Sequence, residues 1–184
     1  MTSRRQQILD IAAELFAQRG FHGVSVADLG AACGISGPAL YKHFPSKDAM
    51  LAEMLVSISE QLLATGRARV AEAADPAAAL EALVEWHVEF ALSHRALIVV
   101  QDRDWSSLPA AARDRVRSLQ REYVEVWAAT LRRIHPGLRS DRAQAMAHVA
   151  FGLLNSTPRS GRLPDAQMQV LLQQMAMAAL LAPR

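Results

Sequence analysis

Between Ser36 and Lys47 the chain sets small residues beside long polar ones: Ser36, Gly37, Pro38, Ala39, Tyr41, Lys42, His43 and Lys47. Nothing nearby makes any of them a nucleophile or an acid–base catalyst. What the set can do is donate hydrogen bonds and neutralise negative charge at close range. On a helix, Leu40 and Phe44 share one face at i, i+4, which leaves Gly37, Ala39, Tyr41, Lys42 and His43 on the other. Small side chains allow close approach and polar ones reach outward. A helix entering the major groove of double-stranded DNA needs both. Gly37, Pro38, Ala39 and Lys42 are expected nearest the base edges, with Ser36 beside them at the helix start. Tyr41, His43 and Lys47 are expected on phosphates, assisted by Ser25 and Arg4.

Short helices must hold such a face in place, and the flanking residues supply their punctuation. Ser25 can cap one helix, and Asp28 three residues on makes the pair close to a capping box. Val26, Leu29 and Ala32 form its inward face. Gly34 suits the left-handed residue that ends a helix, and Ile35 can plug the core beneath the turn. Ser36 is a new N-cap. Pro38 falls in the first turn, where a missing N–H costs nothing. Phe44-Pro45 stops the helix, Ser46 caps the next one, and Lys47 lies at its positive end, a natural phosphate anchor. This is helix-turn-helix grammar. The plainer alternative, a surface helical hairpin with chance polarity, needs caps, turn glycine and polar face to agree by coincidence.

At this point the sequence resembles the tetracycline-repressor (TetR) family of bacterial transcription regulators. Ile8, Ile11, Ala12, Leu15, Phe16 and Arg19-Gly20-Phe21 resemble the family's first helix and its exit. Ser25-Val26-Ala27-Asp28-Leu29 resembles its second. Ala39-Leu40-Tyr41-Lys42-His43-Phe44-Pro45-Ser46-Lys47 resembles its recognition helix and the following turn. One departure is Pro38, where many members carry Gly; it alters which bases are approached more than it alters the fold. The resemblance implies an all-α chain of about nine helices. It places a three-helix DNA-binding domain at residues 1–47 and an effector-binding and dimerisation domain at residues 48–184. It further implies a ligand-responsive regulator, a repressor by family expectation, that binds a near-palindromic operator as a homodimer.

Composition allows this and excludes other classes. A hydrophobic content of 51% in 184 residues is ample for a core, and 21% charged residues suit a soluble globular chain. The longest apolar run, near Met175 to Ala182, is too short to span a bilayer, and no apolar signal core follows the N-terminal arginines. A lone cysteine, Cys33, excludes an internal disulfide and suits a reducing cytoplasm. The net charge of +2 is small. Residues 1–47 supply all of it, with Arg4, Arg5, Arg19, Lys42 and Lys47 against Asp10, Glu14 and Asp28, which suits a DNA reader joined to a neutral domain.

Beyond residue 47 the periodicity is helical throughout. Leu51, Met54, Leu55, Ile58 and Leu62 predict a fourth helix from Ser46 to about Arg69. A fifth starts at Asp75-Pro76, a sixth spans Arg95 to Trp105, a seventh runs from Leu108-Pro109 to Pro136-Gly137, and an eighth from Ser140 to Asn155. Thr157 to Pro164 reads as a loop, and a ninth helix closes the chain. The eighth and ninth are apolar over most of their circumference and so need cover on two sides. They are expected to pair with a second copy through Phe151, Leu154, Met168, Leu171, Leu172 and Met175 in a four-helix interface. A wholly intramolecular core is the alternative. Two-fold symmetry would present two recognition helices to two half-sites.

Trp86, His87, Phe90, Gln101, Trp105, Tyr123, Trp127, His148, Phe151 and Asn155 fall on inward faces. Aromatic walls with a few polar groups describe either a small-molecule pocket or an ordinary core; the resemblance favours the pocket. A small hydrophobic effector fits it: a lipid, an aromatic compound or a fatty acyl-CoA. Arg95, Arg103 and the Arg113/Arg115/Arg117/Arg121 series could meet its acidic portion, or form a solvated face. By the family pattern the effector shifts the fourth helix and changes the separation of the recognition helices. An enzyme is the first alternative, since His87 with Glu85 or Glu89, or His148 with Asn155, could be drawn as acid–base pairs. No nucleophile elbow or phosphate-binding glycine loop supports it, and His87 and His94 lack a third metal ligand. No cofactor, metal site or membrane partner is expected. A helical interaction module that does not bind DNA is the second alternative.

Overall fold

The computed structural model describes residues 3–160 and 162–182. Among them the chain is all-α, in the order α1 (Arg4–Arg19), α2 (Val26–Cys33), α3 (Gly37–Tyr41), α4 (Lys47–Glu72), α5 (Pro76–Ser93), α6 (Arg95–Asp104), a 3-10 turn (Trp105–Ser107), α7 (Ala110–Ile134), α8 (Ser140–Leu154), the single turn α9 (Thr157–Ser160) and α10 (Asp165–Leu181). Leaving that single turn aside, nine α-helices stand, as expected. The loop expected at Thr157 to Pro164 begins instead with α9; the Ser156 carbonyl accepts from the Arg159 and Ser160 amides, and Thr157 is buried with its hydroxyl on the Ala91 carbonyl at 2.7 Å. Residue 161 of that loop lies outside the described residues.

Two compact units share the chain. The first holds α1–α3, α4 as far as Ile58, and Ala96–Val116. Its packing therefore reaches well beyond the expected boundary at residue 47. Ile8, Ala12, Phe16, Leu29, Leu40, Phe44, Leu51 and Leu55 form its centre, together with Val100, Leu108 and Val116 from the later segment. A three-helix reader of about 45 residues buries too little apolar surface to stand alone, and these additions supply the missing cover. Trp105 packs against this same core, and Gln101 lies half-buried in the same unit.

The capping residues do what their types dictate. The Ser25 hydroxyl accepts from the Asp28 amide at 3.1 Å, and the Asp28 carboxylate answers the Ser25 amide at 2.8 Å. Gly34 is left-handed at φ 65°, and Ser36 caps α3 through the Ala39 amide. The inward face of α2 is Leu29, Gly30 and Cys33 rather than Ala32, which is exposed, because Leu29 and Cys33 stack at i, i+4. Gly30 lets the turn fold back on α2: a Cβ there would lie 2.8 Å from the Ile35 carbonyl oxygen.

The second unit holds the rest of α4, α5, most of α7, α8, α9 and α10. Here α5, α8 and α10 pack on one another. Leu154, Met168 and Leu172 belong to this intramolecular core, at 0%, 4% and 3% exposure, and not to a surface that could meet a second copy. On helices apolar all round, composition does not tell the inner face from the outer. The i, i+4 rows Ala143–Ala147 with Ala150–Leu154, and Met168–Leu172–Ala176–Leu180, face inward. The outer faces carry Val149 at 69%, Val170 at 52%, Leu171 at 39% and Met175 at 48%. His148 also faces out, one residue past the buried Ala147, so its expected inward position is corrected. Among the described residues no helix is long and apolar enough to cross a membrane.

Replacing Gly30 by Ala should lower stability by about 1–3 kcal/mol, since the new methyl meets a backbone atom that cannot swing away. Thermal unfolding reads the loss, and a midpoint unchanged from wild type would show that the turn can retreat.

Candidate functional site

The helix-turn-helix presents an outward face of Ser36, Gly37, Pro38, Ala39, Tyr41 and Lys42, all exposed or half-exposed, with Tyr41 at 53%. Leu40 and Phe44 are buried beneath them. His43 is half-buried, and its carbonyl accepts from the Arg5 guanidinium. Ser25 stays exposed at the start of α2.

Two of the residues expected on phosphates, Lys47 and Arg4, hold backbone oxygens of the reader. The Lys47 ammonium donates to the carbonyls of Phe21 at 2.7 Å and Val24 at 2.8 Å and lies 4.4 Å from the Phe21 ring centre. Arg4 donates to the Cys33 carbonyl, at the C-terminal end of α2, and to Gln7. Both side chains pin the reader together. Arg5, which sequence reasoning passed over, completes the frame. Its guanidinium meets both carboxylate oxygens of Glu53 on α4 and sits 4.1 Å over the Phe44 ring. Glu53 in turn holds the Arg5 pKa above its ordinary value, through their hydrogen bond first. Arg5 and Glu53 are 48 residues apart, a distance at which no local pattern signals a pair.

A second constellation lies within the other unit. His87 on α5 is 2% exposed and is ringed by Phe90, Tyr123, Trp127 and Phe151. The Phe151 ring lies parallel to His87, with centres 4.8 Å apart, and to Tyr123 at 5.4 Å. Trp127 stands edge-on to both His87 and Phe151. The imidazole sits between two neutral partners: Nε2 is 3.1 Å from the Asn155 Oδ1, and Nδ1 is 3.4 Å from the Tyr123 hydroxyl. A neutral imidazole answers both, with Nε2–H donating to Asn155 and the tyrosine O–H donating to Nδ1. Burial pushes the His87 pKa down to about 4 and pushes Tyr123 upward, so both are uncharged at neutral pH. Gly66 on α4 faces this cluster; a Cβ there would lie 2.6 Å from the Tyr123 ring.

Six of the ten residues expected to meet an effector therefore come together: His87, Phe90, Tyr123, Trp127, Phe151 and Asn155. The other four do not. Trp86 hangs its indole N–H on the Leu62 carbonyl at 3.1 Å and ties α5 to α4. Gln101 and Trp105 belong to the first unit, and His148 is exposed, its ring meeting the rim of the cluster edge-on at Phe151 with centres 6.4 Å apart. Phe151 is half-buried and stacks its ring on His87 and Tyr123 within its own chain. Among the described residues no cluster of His, Cys, Asp and Glu could hold a metal ion.

Residues 8–54 match the model of the bacterial regulatory proteins of the tetR family, and residues 73–180 match the tetracyclin repressor-like C-terminal domain. This chain belongs to the TetR family. The HTH-type transcriptional repressor KstR2 of Rhodococcus jostii (strain RHA1) is 35% identical over 159 residues, covering 85% of this chain and 76% of that repressor. A TetR-family regulator from Bordetella parapertussis 12822 superimposes with a TM-score of 0.86 at 25% identity, covering 99% of this chain and 96% of that one. FadR from Bacillus subtilis, solved with stearoyl-CoA, shares the fold at 18% identity, with a TM-score of 0.77 over 96% of this chain and 97% of its own. The protein is thus a TetR-family regulatory protein with a DNA-binding helix-turn-helix, in a family of transcriptional regulators rather than enzymes.

Two outcomes follow for this TetR-family chain. Lys47→Met should lower the unfolding midpoint and weaken all DNA sequences alike while leaving the salt slope of binding unchanged. A slope reduced by about one would instead put the ammonium on a phosphate. For His87, the unfolded chain binds a proton below pH 6.5 that the folded chain refuses until about pH 4. Stability is therefore full above pH 6.5 and falls by about 3 kcal/mol as pH drops to 4. His87→Gln should flatten this part of the pH–stability curve measured by denaturant titration.

Proposed function

We propose that the protein binds a near-palindromic operator as a homodimer and is released from it by a small, largely hydrophobic effector seated among His87, Phe90, Tyr123, Trp127, Phe151 and Asn155. One observation carries the effector assignment. The second unit buries a hydrogen-bonded chain of uncharged polar groups, Tyr123–His87–Asn155, inside a shell of aromatic rings. Purely structural cores are more stably filled by aliphatic side chains, whereas convergent polar groups on apolar walls are what small-molecule recognition needs. The absence of an ionised side chain in this cluster favours an uncharged buried moiety, such as an acyl chain or an aromatic group. A fatty acyl-CoA has such an end, and the stearoyl-CoA in the similarly folded regulator from Bacillus subtilis supports that class. Arg95 and Arg103 are engaged within the chain, so a coenzyme A phosphate would look to the α7 arginines such as Arg121.

The outward stripe of Val149, Val170, Leu171 and Met175 supports dimerisation; Leu171 and Met175 stay from the expected set, and Val149 and Val170 join them in place of the buried Leu154, Met168 and Leu172. Lys42 and Tyr41 face the DNA, with Ser36, Gly37, Pro38 and Ala39 closest to the bases. The DNA-binding module closes as a packed unit beyond residue 47. The protein acts in the cytoplasm, where its operator is.

Selection of bound duplexes from a random-sequence pool tests this reading. The expected winners are inverted repeats bound by two protomers, with affinity lost in Met175→Glu and sequence preference altered in Lys42→Ala. Acyl-CoAs of graded chain length should then release the duplex, and Phe151→Ala should change the preferred length. Winners without two-fold symmetry, bound by one protomer, would overturn the dimer. No release by any acyl-CoA, free fatty acid or aromatic compound of matching size would overturn the effector site.

A further inference from the structure

Inside the aromatic cluster of the second unit, one donor has no acceptor. The Tyr123 O–H, the His87 Nε2–H and the Trp127 indole N–H all point to be answered there. The first meets His87 Nδ1 at 3.4 Å, and the second meets Asn155 Oδ1 at 3.1 Å. The third meets nothing: Trp127 is 0% exposed, and its Nε1 is buried without a hydrogen-bond partner. Trp86, in the same unit, shows what an indole ordinarily finds, since it donates to the Leu62 carbonyl at 3.1 Å. A buried indole N–H usually has such a partner, and leaving one without it is costly.

The neighbours of that N–H say what would satisfy it. Tyr123 and Trp127 lie one turn apart on α7, with ring centres 6.1 Å apart at 75°. Burial raises the Tyr123 pKa first, and the Trp127 N–H opposes that rise from beside the phenol oxygen, yet no hydrogen bond closes between the two. The phenol oxygen keeps a lone pair after its own O–H has gone to His87. A buried water typically makes about three hydrogen bonds, and the indole N–H with this lone pair offers two. Phe151 stands edge-on to Trp127, with centres 5.0 Å apart. Phe151 and Asn155 are the half-buried members of the cluster, so they mark the side from which a ligand reaches the indole.

We propose that the Trp127 indole N–H is the polar recognition point of this site, and that the effector carries a neutral oxygen, of a ketone or a hydroxyl, on the end it buries. This rests on the effector reading above and adds a requirement that a plain hydrocarbon end does not meet. A ketone oxygen accepts from Nε1–H. A hydroxyl accepts there and donates to the phenol oxygen. A carboxylate would be buried without a cation, because burial keeps His87 neutral down to about pH 4. A hydrocarbon end leaves the indole as it stands. The oxygen must shed its own water, but it alone relieves the buried donor. Discrimination of this kind comes from pairing a polar group in the site and not from apolar area.

The test titrates three rings of matched size, methylcyclohexane, cyclohexanone and cyclohexanol, into the isotope-labelled full chain and follows the indole N–H signals by proton–nitrogen correlation spectra. Trp127→Phe, which keeps a ring and removes the donor, identifies the Trp127 signal by its loss. Cyclohexanone and cyclohexanol should bind about tenfold tighter than methylcyclohexane. Both should move the Trp127 indole proton downfield and leave that of Trp86 in place. Trp127→Phe should bind all three about equally. A shift with either oxygen supports the proposal, and the tighter of the two tells whether the phenol lone pair takes part. Equal binding of the three to wild type, with the indole proton unmoved, overturns the oxygen requirement and leaves the effector site standing. A preference that survives in Trp127→Phe overturns the role of the indole. So does an indole proton already held by a water that persists in every complex. If none of the rings perturbs the cluster, this proposal fails, and the acyl-CoA release experiment decides the effector reading by itself. Should Trp127→Phe not fold, benzothienylalanine at position 127, which keeps the two-ring shape and lacks the N–H, takes its place.

Discussion

The backbone oxygens between Phe16 and Val24 are the constraint on which the reader depends. A helix end followed by a tight loop leaves carbonyls that must find donors, and here two cations from distant parts of the sequence answer them. Lys47 takes two from α4, and Arg103 takes two from α6. Arg4 and Arg5 do related work at the Cys33 and His43 carbonyls. Much of the positive charge that makes the N-terminal segment look like a phosphate binder is thus directed at the protein's own backbone. The outward face of the helix-turn-helix is left with Tyr41, Lys42 and small residues.

The second unit solves a different problem. Its core packs the inner faces of α5, α8 and α10, yet it buries an imidazole and a phenol and holds a half-buried amide against them. Neutrality makes this tolerable: each hydrogen bond joins uncharged groups, so burial costs little beyond desolvation. Gly66 makes room for the Tyr123 ring directly against the α4 backbone.

The sequence carried the local features almost completely. Caps at Ser25, Ser36 and Ser46 and the left-handed Gly34 are decided within four residues of themselves, so their types suffice to place them. It carried the aromatic cluster in part, because helical spacing groups His87 with Phe90 and Tyr123 with Trp127 but does not say which helix faces which. Trp105 was drawn into the effector set by its type, although its segment packs on the reader. Leu172 and Leu171 differ by one position on a helix without polar punctuation, and only packing assigns one to the core and the other to the surface. Arg5–Glu53 and Arg103–Ala17 pair across 48 and 86 residues, where no periodicity reaches.

Cys33 is 5% exposed beneath the turn, and burial raises its thiol pKa. A thiol that is both shielded and protonated reacts slowly with electrophiles. The folded chain thus behaves toward maleimides and iodoacetamides almost as though it had no cysteine. Spin labels or fluorophores can then be attached through single cysteines introduced at outward positions of the reader, without first removing the native one. Distances between the readers of the proposed homodimer would become directly measurable in the unaltered framework.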